Sequence, residues 1–262
     1  MVIKKSVRFS LLGAFLLRSI MVCKHIFYYA KYRIGSMISL NLSMKYLTQD
    51  LNMTRIIYIK LDALTHYLTK STDSKELLHG KHFFSVNFIQ RGEWDTYINP
   101  ILPDYYNQED KRAVTFRSTY QIFKDGIPYW ECDEYKRKIK GESGYDQASA
   151  AELVKKYKDL EILFNNIKTK GYKSQRELKK IPKRWQDEIR VAIDRNGMFI
   201  KIAESGNHRL AIAQILNIEH IPVYIQGVHQ HWALSCYSMH GGHLLYAINK
   251  ELSLMNQNNR GE

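Results

Sequence analysis

Gly206-Asn207-His208-Arg209 is the stretch of this 262-residue chain whose residue types and order bear most directly on chemistry. A helix N-terminus leaves its first N–H groups unpaired, and its dipole favours negative charge. Gly206 would let a ligand approach the backbone closely. Arg209 can fork two charge-assisted hydrogen bonds onto phosphate oxygens, each contributing roughly 1.5–3 kcal/mol. His208 adds a donor whose charge depends on pH near neutrality. Together they predict an anion site suited to a phosphate-bearing ligand. A plainer reading makes Ser205 or Asn207 a simple helix cap, pairs Arg209 with Glu204 or Asp194, and packs His208 as a ring.

Such a site needs elements to hold it, and the flanking sequence supplies them. Glu188 to Asp194 alternates, with Ile189, Val191 and Ile193 on one face, which is the period of a half-buried strand. Arg195-Asn196-Gly197 provides the positive-φ residues of a tight hairpin turn, and Met198 to Ala203 returns as a second strand. Ser205 and Asn207 are both good N-caps for an apolar helix over Arg209 to Leu216, with Asn217 as a left-handed C-cap. Ile221 to Ile225 reads as a closing strand entered through Pro222. Upstream, Leu153, Tyr157, Leu160, Phe164 and Ile167 step by four and three, predicting an amphipathic helix over Ala150 to Lys170 that stops at Gly171. The lysines of that helix form its solvated face.

Several other groups could take part. Phosphoryl transfer to a hydroxyl requires a carboxylate for the attacking oxygen, and Asp95 or Glu93 could serve; Arg117 could hold a second anion. The blander reading pairs Arg117 with Asp95. His229, His231, His240 and His243 invite a metal, but no carboxylate or thiol completes the set, so a histidine-rich strand end and loop is expected and no metal site is assigned. Cys23, Cys132 and Cys236 are odd in number and widely spaced, which argues against a disulfide scaffold and fits a reducing compartment. Neither a Walker loop nor a dinucleotide fingerprint is present.

The arrangement resembles the ParB/sulfiredoxin superfamily, whose pattern is a helix ending in glycine, a nearby glutamine, two strands, a G-x-(H/R)-R helix start and an I-P-V strand. Leu160 to Gln175 match the helix, its Gly171 stop and the glutamine; Gly206, His208 and Arg209 match the helix start, and Ile221-Pro222-Val223 the last strand. The match covers about residues 150–232. A narrower likeness, carried by Thr54 to Lys60, Arg91 to Asp95, Phe116 to Trp130 and Gly171 to Leu178, is to a prokaryotic group ending in a ParB-like domain. It spans roughly 50–232 and identifies relatives without identifying a reaction.

The resemblance implies a mixed α/β (α+β) domain that places Gln175, Gly206, Asn207, His208 and Arg209 around a nucleotide, ATP or another, with Mg²⁺. Sulfiredoxins carry a cysteine where Asn207 stands, so their thiol chemistry is not expected here. Partition proteins of the superfamily carry a helix-turn-helix domain after this one, and about thirty residues follow Trp232, too few for it. Free-serine kinases of the superfamily carry His-Arg sites of this type. The implied function is a phosphotransferase acting on a small-molecule or glycan hydroxyl, with Asp95 and His208 as catalytic residues. The alternative is a non-catalytic module that binds nucleotide or contacts nucleic acid. The choice turns on whether acids from 91–134 share a cleft with Arg209.

Length and charge bound the remainder. At 45% hydrophobic, the chain can bury one good core. Residues 1–60 hold ten Lys/Arg against Asp50, or +9, so only +4 of the total +13 falls on the other 202 residues. A core at +4 does not demand a nucleic-acid partner. The run from Phe9 to Leu17 is too short to span a bilayer; with the basic residues around it, residues 1–35 suit peripheral contact with a membrane surface, a poorly ordered appendage, a helix on the domain, or a targeting segment. The expected layout is a basic apolar segment at 1–48, a largely helical elaboration at 49–149, the ParB-like domain at 150–232, and an extension at 233–262 in which residues 244–262 read as a short helix and then a polar, frayed tail. The expected setting is cytoplasmic, with membrane association through the N-terminus.

Overall fold

The computed structural model describes residues 55–69, 88–178, 187–202 and 206–260. The expectations for residues 1–48, and for Glu204 and Ser205, lie outside the described residues.

Strands β1 (Ile56–Lys60), β2 (His66–Leu68), β3 (Ile89–Gln90), β4 (Ile98–Pro100), β5 (Ile189–Ile193), β6 (Phe199–Lys201) and β7 (His220–His229) form one mixed sheet. Its order is β1-β7-β5-β6-β2-β4, with β3 also paired to β7. The predicted hairpin joins β5 to β6: Asp194 N–H donates to the Met198 carbonyl at 3.0 Å, Gly197 has φ +90°, and Asp194 Oδ1 accepts from the amides of Asn196 and Met198. β5 then runs parallel to the central strand β7, so it is walled by strands on both sides.

The segment expected as a helical elaboration contributes four of the seven strands. β1 pairs antiparallel with β7 from Ile56↔Tyr224 to Lys60↔His220, and β2 pairs parallel with β6. The described strands before residue 101 and those after residue 188 therefore share one sheet and one core. The fold class is mixed α/β.

Among the described residues the α-helices are α1 (Lys111–Phe123), α2 (Asp133–Lys140), α3 (Ala150–Lys170), α4 (Asn207–Ile215), α5 (Gln230–His240) and α6 (Leu244–Arg260); α4, α5 and α6 meet the sheet, α1 and α3 pack on α4, and α2 packs on α1. α3 has the predicted bounds because Ser149 and Glu152 close a reciprocal capping box at its start and Gly171 (φ +74°) ends it. Leu153, Tyr157, Leu160 and Ile167 are buried, and Phe164 stacks on Phe123 with centroids 4.2 Å apart. The main core lies on the face of the sheet bearing Ile57, Ile59, Val191, Ile193, Val223 and Ile225, where Leu210 to Ala213 of α4 meet it. Alternation sends Ala192, Ile200 and Ile202 to the other face, into a smaller cluster with Leu68 and Trp94. Buried Lys201 lies over the Tyr105 ring at 5.5 Å and donates to the Ile202 carbonyl at 3.0 Å.

The C-terminal end departs from expectation. Residues 244–260 are one 17-residue helix rather than a frayed tail. Leu245, Ile248 and Leu252 are buried at helical spacing, and Asn256 Oδ1 accepts the Tyr58 amide at 2.9 Å, which ties the polar last turns to the edge strand β1. Among the described residues, no helix is long and apolar enough to cross a membrane.

Candidate functional site

α4 begins on glycine. Gly206 occupies the N-cap position in the left-handed region (φ +76°, ψ +11°), so the cap has no side chain with which to accept from the first-turn amides. Its conformation is enforced by packing. A Cβ at Gly206 would stand 2.7 Å from the Ile189 amide nitrogen and 2.8 Å from the Glu188 carbonyl oxygen. The glycine therefore serves close approach of α4 to the start of β5, not access of a ligand to Gly206 itself as the sequence suggested. Asn207 is the first helical residue and not a cap, and its Oδ1 accepts from the Tyr105 hydroxyl at 3.1 Å.

Glu188 is the hub on one side of this helix start. It is 0% exposed, although strand alternation had placed it on a polar face. Its carboxylate accepts the backbone N–H of Gln175 and the Tyr172 hydroxyl, the latter at 3.4 Å. The Arg209 guanidinium lies 5.8 Å from the centroid of the same Tyr172 ring. Gln175, Gly206 and Arg209, far apart in sequence, are thus brought together. Asp194 is not the partner of Arg209, being bound to the turn amides.

Burial raises the Glu188 carboxyl to about 7, with Arg209 and the Gln175 amide acting the other way. A carboxyl raised from its unfolded value contributes stability below that value and loses it as pH climbs through the folded one. Glu188→Gln should remove that loss. Its unfolding free energy is expected to exceed wild type by about 1–3 kcal/mol above pH 8 and to match it near pH 4, measured by urea titration across pH.

His208 occupies the other side, where four helices meet. Its Nδ1 is 2.8 Å from Thr119 Oγ1 of α1. Burial, reinforced by Lys156, Lys138 and Arg209 and only partly offset by Glu134, lowers its affinity for a proton to about 4. The expected charge change near neutrality is therefore absent, and His208 is a neutral ring at physiological pH. Glu134 of α2, 2% exposed, takes hydrogen bonds from Thr115 (2.9 Å), Lys156 (2.5 Å) and Tyr157 (3.2 Å). Burial opposes its ionisation, but His208, Lys156 and Lys138 hold it down to about 2. Lys156 is accordingly drawn inward from the face expected to be solvated.

Asp95 is elsewhere. It is 6% exposed and gripped by Arg195 of the β5–β6 turn, through Nε to Oδ2 at 2.8 Å, Nη2 to Oδ1 at 2.7 Å and the backbone N–H at 3.0 Å. Glu93 shares the same arginine at 2.6 Å. The five-residue strand β5 separates this turn from Gly206, roughly 16 Å at 3.3 Å per residue. Arg117 pairs with Asp133 (2.7 Å) and Glu109 (3.0 Å) and donates to the carbonyls of Tyr106 and Gln108, so neither the second-anion role nor the Asp95 pair is realised. Asp95 and Glu93 do not share a cleft with Arg209, and Glu134 is saturated and too weakly basic to take a proton.

His229 ends β7, where its Nε2 lies 2.9 Å from the Gly92 carbonyl and its Nδ1 accepts the His231 amide at 3.0 Å; His231 already belongs to α5. The two rings consequently do not line one strand face. A separate open cleft of about 760 Å³, lined by Lys60, His66, Leu102, Tyr120, Lys124 and Gln214 among others, opens beside the C-terminal end of α4, away from Gly206. Comparison of this chain with protein-family models, with curated proteins and with solved structures found no match.

Proposed function

We propose that the chain binds a phosphate-bearing small molecule, a nucleotide with Mg²⁺ as first choice, at the start of α4, within a domain of ParB/sulfiredoxin-like kind. The observation that carries this reading is the glycine-led helix start itself. Gly206 is pinned against β5, leaves the first turn without a side-chain cap, and is followed by Arg209 at the edge of a buried aromatic and carboxylate cluster. A helix start whose dipole favours negative charge, with a guanidinium beside it, suits phosphate oxygens.

The catalytic form of the reading is a phosphotransferase acting on a small-molecule or glycan hydroxyl. It requires a proton acceptor near Arg209. Asp95 is too distant; Glu188, raised into the range of a useful base, is the carboxylate at hand, but it is fully enclosed. That enclosure favours the second reading, a nucleotide-binding module without transfer chemistry.

The test is calorimetric titration of ATP, ADP, CTP and GTP with Mg²⁺ into wild type and Arg209→Ala. Wild type should bind at least one of the four, and the variant should bind it about 10–100-fold more weakly, from the loss of roughly 1.5–3 kcal/mol of charge-assisted bonding. No binding by wild type to any of them rejects the reading.

A further inference from the structure

Between Glu219 and Lys250 no residue is Asp, Glu, Lys or Arg, although 25% of the chain is charged. The first part of this stretch is β7, whose burial explains it. The rest is α5, the corner after it and the start of α6, and these have an outer surface. α5 turns Trp232, Ala233 and Cys236 inward. Outward, Leu234, Tyr237, Met239 and Tyr246 are between 44% and 61% exposed. Leu234 and Tyr237 stand three residues apart on α5 and so share a face. The polar groups around them are engaged within the hairpin. Ser235 Oγ donates to the His231 carbonyl at 3.1 Å, His243 Nδ1 accepts the Tyr246 amide at 3.1 Å, and His240 Nε2 meets Glu251 at 2.6 Å. Covering this face therefore strands few hydrogen-bonding groups.

We propose that the outer face of α5 and the α5–α6 corner is where two copies of this chain meet about a two-fold axis. In such an interface the same patch lies on both sides, so a charge near the axis opposes its own copy. The chain carries a formal +13, and two copies repel at a distance. A charge-free face lets them meet without bringing that repulsion into contact. Its composition also fits, since interface cores are depleted in charge and enriched in Tyr and Met. A different protein would normally be selected by complementary charge, and this face offers none to select it. A membrane surface calls for Lys or Arg along the border of the apolar face, and residues 220–249 supply neither.

The test is sedimentation equilibrium of the full chain, with Leu234→Lys, Leu234→Glu, and Ile162→Lys as a control on the exposed side of α3. Wild type should be a dimer whose Kd changes less than about threefold between about 50 and 500 mM NaCl, because no charges lie in the interface. Each Leu234 variant should weaken association at least about 100-fold by setting like charges against each other, and an equal mixture of the two should restore the dimer. Ile162→Lys should dimerise as wild type does. Circular dichroism melts matching wild type show that the variants fold. Wild type that stays monomeric up to about 100 µM overturns the proposal, as does a dimer that both Leu234 variants leave intact or that salt dissociates. A mixture of variants that stays monomeric rejects the two-fold arrangement. Monomeric wild type that floats with phosphatidylcholine vesicles, and loses this in Leu234→Lys, gives the face to lipid instead.

Discussion

Gly206→Ala is expected to cost about 2–5 kcal/mol of folding stability and to abolish ligand binding at the start of α4. Two costs add. A non-glycine residue in the left-handed region costs roughly 1–2 kcal/mol, and forcing a methyl into a packed site costs typically 1–3 kcal/mol. The second cost cannot be relieved by a rotamer change, because the atoms in the way are the Ile189 amide nitrogen and the Glu188 carbonyl oxygen, both backbone. Either α4 lifts away from β5 or the β5 backbone bends, and each moves Arg209 relative to Glu188 and Tyr172. Gly144→Ala is the control. Gly144 also has positive φ (+85°), but nothing lies within 4 Å of its Cβ position, so only the conformational cost of roughly 1–2 kcal/mol applies. Urea unfolding of the two variants beside wild type measures both. Equal losses would show that the contact with β5 is unimportant.

That contact also shows how far the sequence could be read. The order strand, turn, strand, glycine, helix, strand was legible because each piece is local: alternation in 188–194, Arg195-Asn196-Gly197 for the turn, apolar periodicity in 210–216. The role of Gly206 was not, because the reason for glycine is the backbone of a residue seventeen positions earlier. Glu188 was missed for a related reason. Alternation assigned it to a polar face, but Tyr172 and Gln175, from the turn after α3, close over it, and nothing local to 188 announces them. α6 was underestimated on composition: its polar residues suggested fraying, although Leu245, Ile248 and Leu252 already stood at helical spacing. Thr119 carried no signal at all, since a threonine in a helix is ordinary until His208, 89 residues on, is placed against it.

The same limit explains why a carboxylate can look catalytic in sequence and be structural in the fold, and Asp95 provides the test. Asp95→Ala is expected to destabilise the protein by about 2–4 kcal/mol while leaving nucleotide affinity within twofold of wild type. Removing one member of a largely buried pair leaves the other charge poorly solvated, at a cost of about 3–5 kcal/mol when both are buried. Arg195 is 27% exposed and keeps Glu93 as a partner, so the lower part of that range applies. The backbone N–H of Arg195 also loses its acceptor, loosening the turn that sets the register of β5 with β6. Burial acts to raise the Asp95 carboxyl, but the Arg195 side chain and backbone N–H hold it below its ordinary range, a state suited to an ion pair and unsuited to a base. Urea unfolding and calorimetry on the one variant separate the two roles. A stable Asp95→Ala protein with lost nucleotide binding would put the functional centre at the β5–β6 turn and remove it from α4.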